Sequence, residues 1–180
     1  MIQVMMDLET MGNSHNAAIV EIAAVKFDPA KGCILDDFGR KVDLESSIDI
    51  GLEVNPATII WWMQQSDEAR KNVTDTSGAI TIKEALVDFA QWYGPDLLPI
   101  WGNGVASDNV WMKSAFDKAD LTCPWTHKQD RCYRTIRELC PPDLHTPDIG
   151  TKHKAMDDAI FQATHLMAIL GTLPSGNGLM

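Results

Sequence analysis

Residues 1–10 read Met1-Ile2-Gln3-Val4-Met5-Met6-Asp7-Leu8-Glu9-Thr10, an apolar run that ends on two carboxylates spaced i, i+2. The run predicts a strand, and because successive side chains of a strand point to opposite faces, Asp7 and Glu9 share one face. Two such acids repel each other unless a cation, a shared proton or water offsets the charge. A divalent cation is the simplest way to offset the repulsion between Asp7 and Glu9, since Mg²⁺ binds carboxylate oxygens. The tripeptide Asp-Leu-Glu alone is weak evidence for a metal site, because it recurs at Asp43-Leu44-Glu45.

The composition is that of an ordinary globular protein. The 180 residues are 45% hydrophobic and 22% charged, which suffices for one domain with a full core. The formal net charge of −10 argues against a broad basic face for nucleic acid, but not against an enzyme that meets phosphates through bound metal. We expect one domain in residues 1–170 and a flexible Gly/Pro/Ser-rich tail in 171–180.

Cysteine usage and hydropathy predict a reduced, soluble and cytoplasmic protein. The four cysteines form no C-x-x-C pair, no basic signal segment precedes Asp7, and no apolar run reaches 18 residues. The cysteines are Cys33, Cys123, Cys132 and Cys140.

Local patterns predict the elements that follow residue 10. Ala17 to Phe27 is rich in β-branched residues, a turn follows at 28–32, and Cys33 to Val42 reads as a returning strand, so three antiparallel strands open the fold. Asn55 with Pro56, Ser66, and the capping box Thr81-Ile82-Lys83-Glu84 each predict a helix start.

Aromatic and histidine side chains near the acids are candidate substrate contacts. Adjacent tryptophans cannot both face the core, so either Trp61 or Trp62 lies at a surface where bases can stack, although core packing is the commoner fate. His15 lies in the polar loop directly after the acids, where most histidines are merely solvated.

A second carboxylate position follows the apolar run Leu97 to Trp101 and Gly102-Asn103-Gly104. Ser107 is predicted to cap a helix whose first turn contains Asp108. An acid in the first turn either stabilises the helix through its dipole or projects to the mouth of the loop as a site residue. The position in the sequence alone does not decide between these two roles.

Three arginines, Arg131, Arg134 and Arg137, lie within the segment 130–137. In an acidic protein they are the most obvious phosphate contacts, although charge clusters on helices are usually solvated faces.

The last helix is predicted from His153 to Leu170, after a Pro-rich loop at 141–151. His153 stands at the junction of loop and helix, five residues before Asp158, which suits a general base beside a metal ligand. The periodicity leaves the choice between Asp157 and Asp158 open. The predicted apolar stripe is Met156, Ala159, Ile160, Ala163, Met167 and Leu170.

In this order the motifs resemble the DEDDh group of 3′-5′ exonucleases, the DnaQ-like branch of the ribonuclease H-like fold. The matching residues are Asp7 and Glu9 in Asp-Leu-Glu-Thr, Asp108 in Gly-Asn-Gly-Val-Ala-Ser-Asp, and His153 and Asp158 in His-Lys-Ala-Met-Asp-Asp-Ala. Three segments are similar to phage and prophage exonucleases, including exonuclease A of the T-even phages. They are Asp-Leu-Glu-Thr-Met-Gly, Trp-Trp-Met-Gln-Gln-Ser-Asp-Glu-Ala-Arg and Asp-Arg-Cys-Tyr-Arg-Thr-Ile.

The resemblance implies an α/β protein with a mixed five-stranded sheet, three antiparallel strands plus parallel ones, flanked by helices. It implies an enzyme that releases nucleoside 5′-monophosphates from a 3′ end with two divalent cations, Mg²⁺ or Mn²⁺. Asp7 would bridge both cations, Glu9 and Asp158 would hold the one that carries the attacking water, Asp108 would support the other, and His153 would take the proton.

Thr10, Met11, Trp62 and Asn103 are the predicted substrate contacts. The expected partner is nucleic acid with a free 3′ end, single-stranded by preference, and a homodimer is compatible with this interpretation. A non-catalytic nucleic-acid-binding module and a metal-dependent endonuclease or phosphatase remain alternatives, which the length of the products separates. The sequence does not distinguish DNA from RNA.

Overall fold

A five-stranded mixed sheet forms the centre of the protein, whose computed structural model describes residues 1–141, 143–147 and 149–172. Strands β1 (Gln3–Thr10), β2 (Ile19–Asp28) and β3 (Cys33–Lys41) pair antiparallel. Strands β4 (Ile100–Gly102) and β5 (Asp130–Cys132) continue in parallel from the other edge of β1, which gives the order β3-β2-β1-β4-β5. The expected fold class is confirmed.

Residues 4–6 of β1 are all apolar because both faces of the strand are covered. Val4 and Met6 face the larger core, which includes Leu86 and Phe89. Met5 faces a second core that includes Leu166 of the last helix. A strand that is buried on both faces reads as a continuous apolar run. Since side chains alternate, Asp7 and Glu9 extend the Met5 face and point to the last helix.

Seven α-helices flank the sheet in the described part of the chain, and three of them begin at the predicted caps. Asn55 accepts a hydrogen bond from the Ala57 N–H at 2.8 Å, Ser66 caps through the Ala69 N–H, and Thr81 forms a capping box with Glu84. The helices are α1 (Leu44–Asp49), α2 (Pro56–Met63), α3 (Asp67–Thr74), α4 (Ile82–Tyr93), α5 (Val110–Lys118), α6 (Tyr133–Arg137) and α7 (Ala155–Thr172).

The predicted helix cap at Ser107 is wrong. A π-helical turn, Val105–Asn109, precedes α5 and contains Ser107, whose hydroxyl donates to the Gly104 carbonyl instead. The wide turn folds back over the end of β4, where a β-carbon on Gly102 would lie 2.4 Å from the Asn109 Oδ1. Glycine at 102 therefore provides the space that the turn requires, and such turns recur at functional sites.

The buried face of α7 differs from the predicted stripe. Of the predicted residues only Ala159 and Ala163 are fully buried, and Gln162 replaces the apolar residues that the pattern favoured. A polar residue does not register in an apolar stripe, but Gln162 is buried because its amide binds Asp7. The buried residues are Ala155, Ala159, Gln162, Ala163, Leu166 and Ile169.

The helix α7 also extends through Gly171 and Thr172, which were predicted to belong to the tail; the rest of the predicted tail, 173–180, lies outside the described residues. None of the helices described has the length and apolar character needed to cross a membrane. The four cysteines, all within the described residues, are free.

Candidate active site

Three carboxylates from the two ends of the chain meet at the end of β1. Asp7 and Glu9 come from the strand, and Asp158 comes from the first turn of α7. One oxygen of each lies within 4.8 Å of the others. Asp7 and Glu9 are only 7% and 6% exposed. The packing of α7 on β1 and β2 therefore closes a compact cluster of oxygen ligands.

Asp108 lies beside this cluster and not within it. The π-helical turn carries its side chain, which is 4% exposed, and its Oδ2 accepts a hydrogen bond from the Gly104 N–H at 3.1 Å. Burial raises the pKa of Asp108 to about 6, while hydrogen bonds from backbone N–H groups and the nearby Arg134 oppose the rise. Its charge in turn raises the pKa of Asp7, so the two groups interact.

Burial and mutual repulsion make the cluster hold protons in the absence of a cation. Burial raises the pKa of Glu9 to about 9, with further increases from Glu21 and Asp158. The pKa of Asp7 is raised well above its ordinary value by burial and then by the charge of Asp108. Burial also raises the pKa of Asp158. Hard oxygen donors with uncompensated negative charge fit a divalent cation, which stabilises their ionised forms.

The raised pKa of Glu9 predicts how the stability of the metal-free protein depends on pH. The unfolded chain releases this proton near pH 4.5, whereas the folded protein retains it up to about pH 9. Because the folded state binds more protons in that window, the free energy of unfolding falls as the pH rises through it. Melting temperatures measured in EDTA should therefore fall over this range, and Glu9→Gln should reduce the fall.

Glu45→Gln is the matched control, because Glu45 occupies the same place in the second Asp-Leu-Glu and is exposed. It should leave the pH dependence unchanged. A melting temperature of the wild-type protein that is level or rises over the same window in EDTA would contradict the assigned protonation of Glu9.

His153 is fixed at the entrance to α7 by its backbone and by two aromatic rings. Its N–H donates to the Asp158 Oδ2 at 2.8 Å, and its backbone has a positive φ of 63°. The imidazole lies edge-on to Trp61, with ring centroids 4.9 Å apart, and 6.0 Å from the centroid of Trp62. A positive φ is uncommon outside glycine, and surrounding contacts must hold it.

Asp157 and Asp158 point in different directions. Asp157 Oδ2 accepts a hydrogen bond from the Thr151 N–H at 2.9 Å and lies 3.5 Å from Lys154 Nζ. Its side chain covers Gly150, where a β-carbon would lie 2.3 Å from the Asp157 Cγ. Asp157 therefore fastens the loop that precedes His153, and Asp158 serves the cluster.

The carboxylates and His153 line a cleft of about 810 Å³. Of the predicted substrate contacts, Thr10, Trp62 and Asn103 line the cleft, and the buried Oδ1 of Asn103 has no partner among the described residues. Met11 does not line it, because its side chain packs into the larger core. His15 is exposed and lies outside the lining.

The two tryptophans have different environments. Trp62 is buried, and its Nε1 donates to the Thr10 carbonyl at 2.9 Å, which ties α2 to the end of β1. Trp61 is 41% exposed and lines the same cleft. The ring exposed for stacking is therefore that of Trp61, a choice that the sequence left open, whereas Trp62, predicted as a substrate contact, lines the cleft with a buried ring.

Two residues that interact with the carboxylates, Gln162 and Glu21, were not predicted from the sequence. Gln162 donates from Nε2 to the Asp7 Oδ1 at 2.8 Å and stands four residues after Asp158 on the same helix face. Glu21 lies opposite Glu9 in the β1–β2 register and forms an ion pair with Lys41 at 3.1 Å. The available signal for Glu21 was its position as the one acid in the apolar segment 17–27.

About half of the chain is similar in sequence to a curated nuclease. The chain is 27% identical over 108 residues to an exodeoxyribonuclease of Enterobacteria phage T4, a match that covers 56% of this chain and 47% of that protein. The chain thus spans about half the length of this curated relative.

Solved nuclease structures share the fold. The nuclease domain of 3′hExo, a DEDDh family member bound to rAMP, has a TM-score of 0.66 at 15% identity over 94% of this chain and 92% of that one. The zinc-bound complex of E. coli ExoI with ssDNA has a TM-score of 0.70 at 13% identity over 96% of this chain and 41% of that one. At these identities the likeness establishes the fold.

The family profile extends over nearly the whole chain. It is described as the 3′-5′ exoribonuclease Rv2179c-like domain and matches residues 2–170, which include all four carboxylates and His153. On the strength of that match, the chain belongs to the 3′-5′ exoribonuclease Rv2179c-like family.

Proposed function

We propose that this protein is a metal-dependent 3′-5′ exonuclease that hydrolyses phosphodiester bonds from the 3′ end and releases nucleoside 5′-monophosphates. The observation that carries the proposal is the cluster of Asp7, Glu9 and Asp158 in one cleft with Asp108 and His153. The family description supports the 3′-5′ direction.

Two divalent cations, Mg²⁺ or Mn²⁺, are the proposed cofactors. Asp7, Glu9 and Asp158 would hold them, with Asp108 in support, because these are the hard oxygen donors of the cleft. When bound, such cations neutralise the charge of the phosphodiester and promote ionisation of the attacking water.

The protein groups around the carboxylates orient the reaction. A ring nitrogen of the His153 imidazole accepts the proton of the attacking water, and the His153 N–H holds the Asp158 carboxylate. The Gln162 amide fixes the orientation of Asp7. Trp61 restricts the imidazole from one side, which keeps the base in place while substrate enters.

The proposed substrate is a single strand with a free 3′ end. The exposed ring of Trp61 provides a stacking surface for an unpaired base, and Thr10 and Asn103 line the cleft beside the carboxylates. The family is described as exoribonucleases, whereas the phage relative is named an exodeoxyribonuclease. DNA and RNA must therefore be compared directly.

The test is digestion of 5′-labelled single-stranded DNA and RNA of the same sequence with Mg²⁺, Mn²⁺ or EDTA. A ladder that shortens from the 3′ end and the release of nucleoside 5′-monophosphates are expected with the cations and not with EDTA. A circular single strand and a blunt duplex are the controls for end and strand preference. Internal fragments would indicate an endonuclease, inorganic phosphate a phosphatase, and binding without products a non-catalytic module.

The proposed base gives a further prediction. His153→Ala should lower kcat by about 10²- to 10⁴-fold, which is the usual contribution of a general base, while the cation-induced rise in melting temperature persists. His15→Ala is the matched control, because His15 is exposed outside the cleft and should be dispensable. Similar kcat values for both variants would remove His153 from the mechanism.

Three further proposals concern the protein as a whole. Residues 1–170 are proposed to act as one exonuclease domain, which the extent of the family match supports.

A homodimer is proposed because Ile60 and Met63 of α2 are exposed apolar side chains, and sedimentation analysis tests it. A cytoplasmic location is proposed from the four free thiols and is testable by fractionation.

A further inference from the structure

The cleft combines an acidic floor with a basic rim. Among the described residues, the acids that line it are Asp7, Glu9, Asp108 and Asp158, whereas Arg134, Arg137 and Lys152 line it from exposed positions. The protein as a whole carries a formal charge of −10, which repels a polyanion. The rim therefore offers local positive charge where a nucleic acid strand must pass.

Arg134 is held at the rim by its backbone while its guanidinium remains available. The Arg134 N–H donates to the Asn103 carbonyl at 3.0 Å, which ties α6 to the loop after β4. A β-carbon on Gly104 would lie 3.7 Å from the Arg134 Cζ, so the guanidinium lies over that loop. Among the described residues, its side chain forms no hydrogen bond or ion pair.

Arg137 stands one helical turn further along α6 and is nearly as available. Its contact with Glu138 is 3.9 Å long, and both side chains are largely exposed. Exposed pairs of this kind contribute little. A phosphate can displace such a contact, because a guanidinium fork matches two phosphate oxygens.

Arg131, by contrast, is already engaged. Its Nη1 donates to the carbonyls of Lys128 and Asp130 at 2.9 and 2.8 Å, and it does not line the cleft. The three arginines that appear equivalent in the sequence thus separate into two available groups and one occupied group.

The geometry of the reaction indicates which phosphates the rim meets. His153 packs against Trp61, whereas Arg134 is tied to Asn103 and its charge acts on Asp108. In an in-line displacement the attacking and leaving oxygens lie on opposite sides of the phosphorus. With His153 as the base, the leaving oxygen and the strand that retains it lie on the side of the phosphorus away from the imidazole.

We infer that Arg134 and Arg137 bind the phosphodiesters of the strand that remains after cleavage, upstream of the scissile bond. The inference rests on the proposed exonuclease function and extends it to a binding site for the retained strand. Contacts at this site hold the shortened strand for the next cleavage and carry no sequence information.

The test compares two substrates in parallel. A single-stranded oligonucleotide contains upstream phosphodiesters, whereas the p-nitrophenyl ester of thymidine 5′-monophosphate contains only the scissile phosphate. For Arg134→Ala and Arg137→Ala, the loss of kcat/KM on the oligonucleotide should exceed the loss on the ester by about tenfold, mainly through KM. Each substitution should also reduce the salt dependence of log KM by about 0.7.

Arg131→Ala is the matched control and Arg134→Lys the variant that retains charge. Arg131→Ala should leave both substrates and the salt dependence unchanged, and Arg134→Lys should retain most of the salt dependence. Equal losses on ester and oligonucleotide, or equal effects of Arg131→Ala and Arg134→Ala, would overturn the inference while leaving the proposed function in place. If the wild-type protein cleaved neither substrate, the proposed function itself would be overturned, and the inference with it.

Discussion

Replacing Asp7 by Asn is expected to lower nuclease turnover by at least about 10³-fold without unfolding the protein. Asp7 interacts with each of the other three carboxylates, and its oxygen lies in the cluster proposed to hold the cations. Changes to residues that only support a metal ligand typically cost about 10- to 100-fold, so loss of the central ligand should cost more.

The same substitution should not weaken the fold in the absence of metal. An Asn side chain still presents an oxygen to the Gln162 amide, and it removes a buried carboxylate from a cluster of like charges. In EDTA near pH 8, the variant is expected to melt at the same temperature as the wild-type protein or higher. The decisive comparison is therefore turnover with Mg²⁺ or Mn²⁺ beside melting temperature in EDTA.

Asp43→Asn provides the matched control for Asp7→Asn. Asp43 begins the second Asp-Leu-Glu and caps α1 by accepting a hydrogen bond from the Ser46 N–H at 2.8 Å, a role that Asn also performs well. This variant should retain wild-type activity. If Asp7→Asn retained activity as well, the assignment of the metal site would be wrong.

The second large effect is expected to separate two adjacent acids. Asp158→Asn should lower turnover by at least about 10³-fold, because it removes a ligand of the cluster. Asp157→Asn should change turnover by less than about 10-fold, because an amide oxygen still accepts the hydrogen bond from the Thr151 N–H. Single-turnover rates of both variants on one oligonucleotide test this directly.

An intermediate result is expected for Asp157→Ala, which releases the loop before His153 without touching the cluster. The loss of turnover in Asp157→Ala should lie between the losses in Asp157→Asn and Asp158→Asn. The reason is that the lost hydrogen bond affects the position of the base and not the cations. Equal losses in Asp157→Asn and Asp158→Asn would show that the two carboxylates do not have the separate roles that their contacts indicate.

The sequence determined those features that depend on neighbours within a few residues. The apolar run of β1 and the alternation of a strand were enough to place Asp7 and Glu9 on one face. The caps at Asn55, Ser66 and Thr81 were recognisable because a cap and the N–H group that it binds lie within one turn. The motif order, from the first strand to the last helix, was enough to indicate the family.

Tertiary structure alone decided which of the remaining candidates reach the site. Asp108 arrives through the parallel pairing of β1 with β4 and a wide turn that a glycine permits, and neither is visible in local spacing. The family pattern had already selected Asp158 over Asp157, but the helical periodicity had not, and only the rotation of α7 against the sheet turned the two carboxylates apart and buried Gln162 beside Asp7, because a helix face is set by what it packs against. The exposure of Trp61 and the availability of Arg134 have the same origin, since residues of equal local pattern differ only in the partners that the fold brings to them.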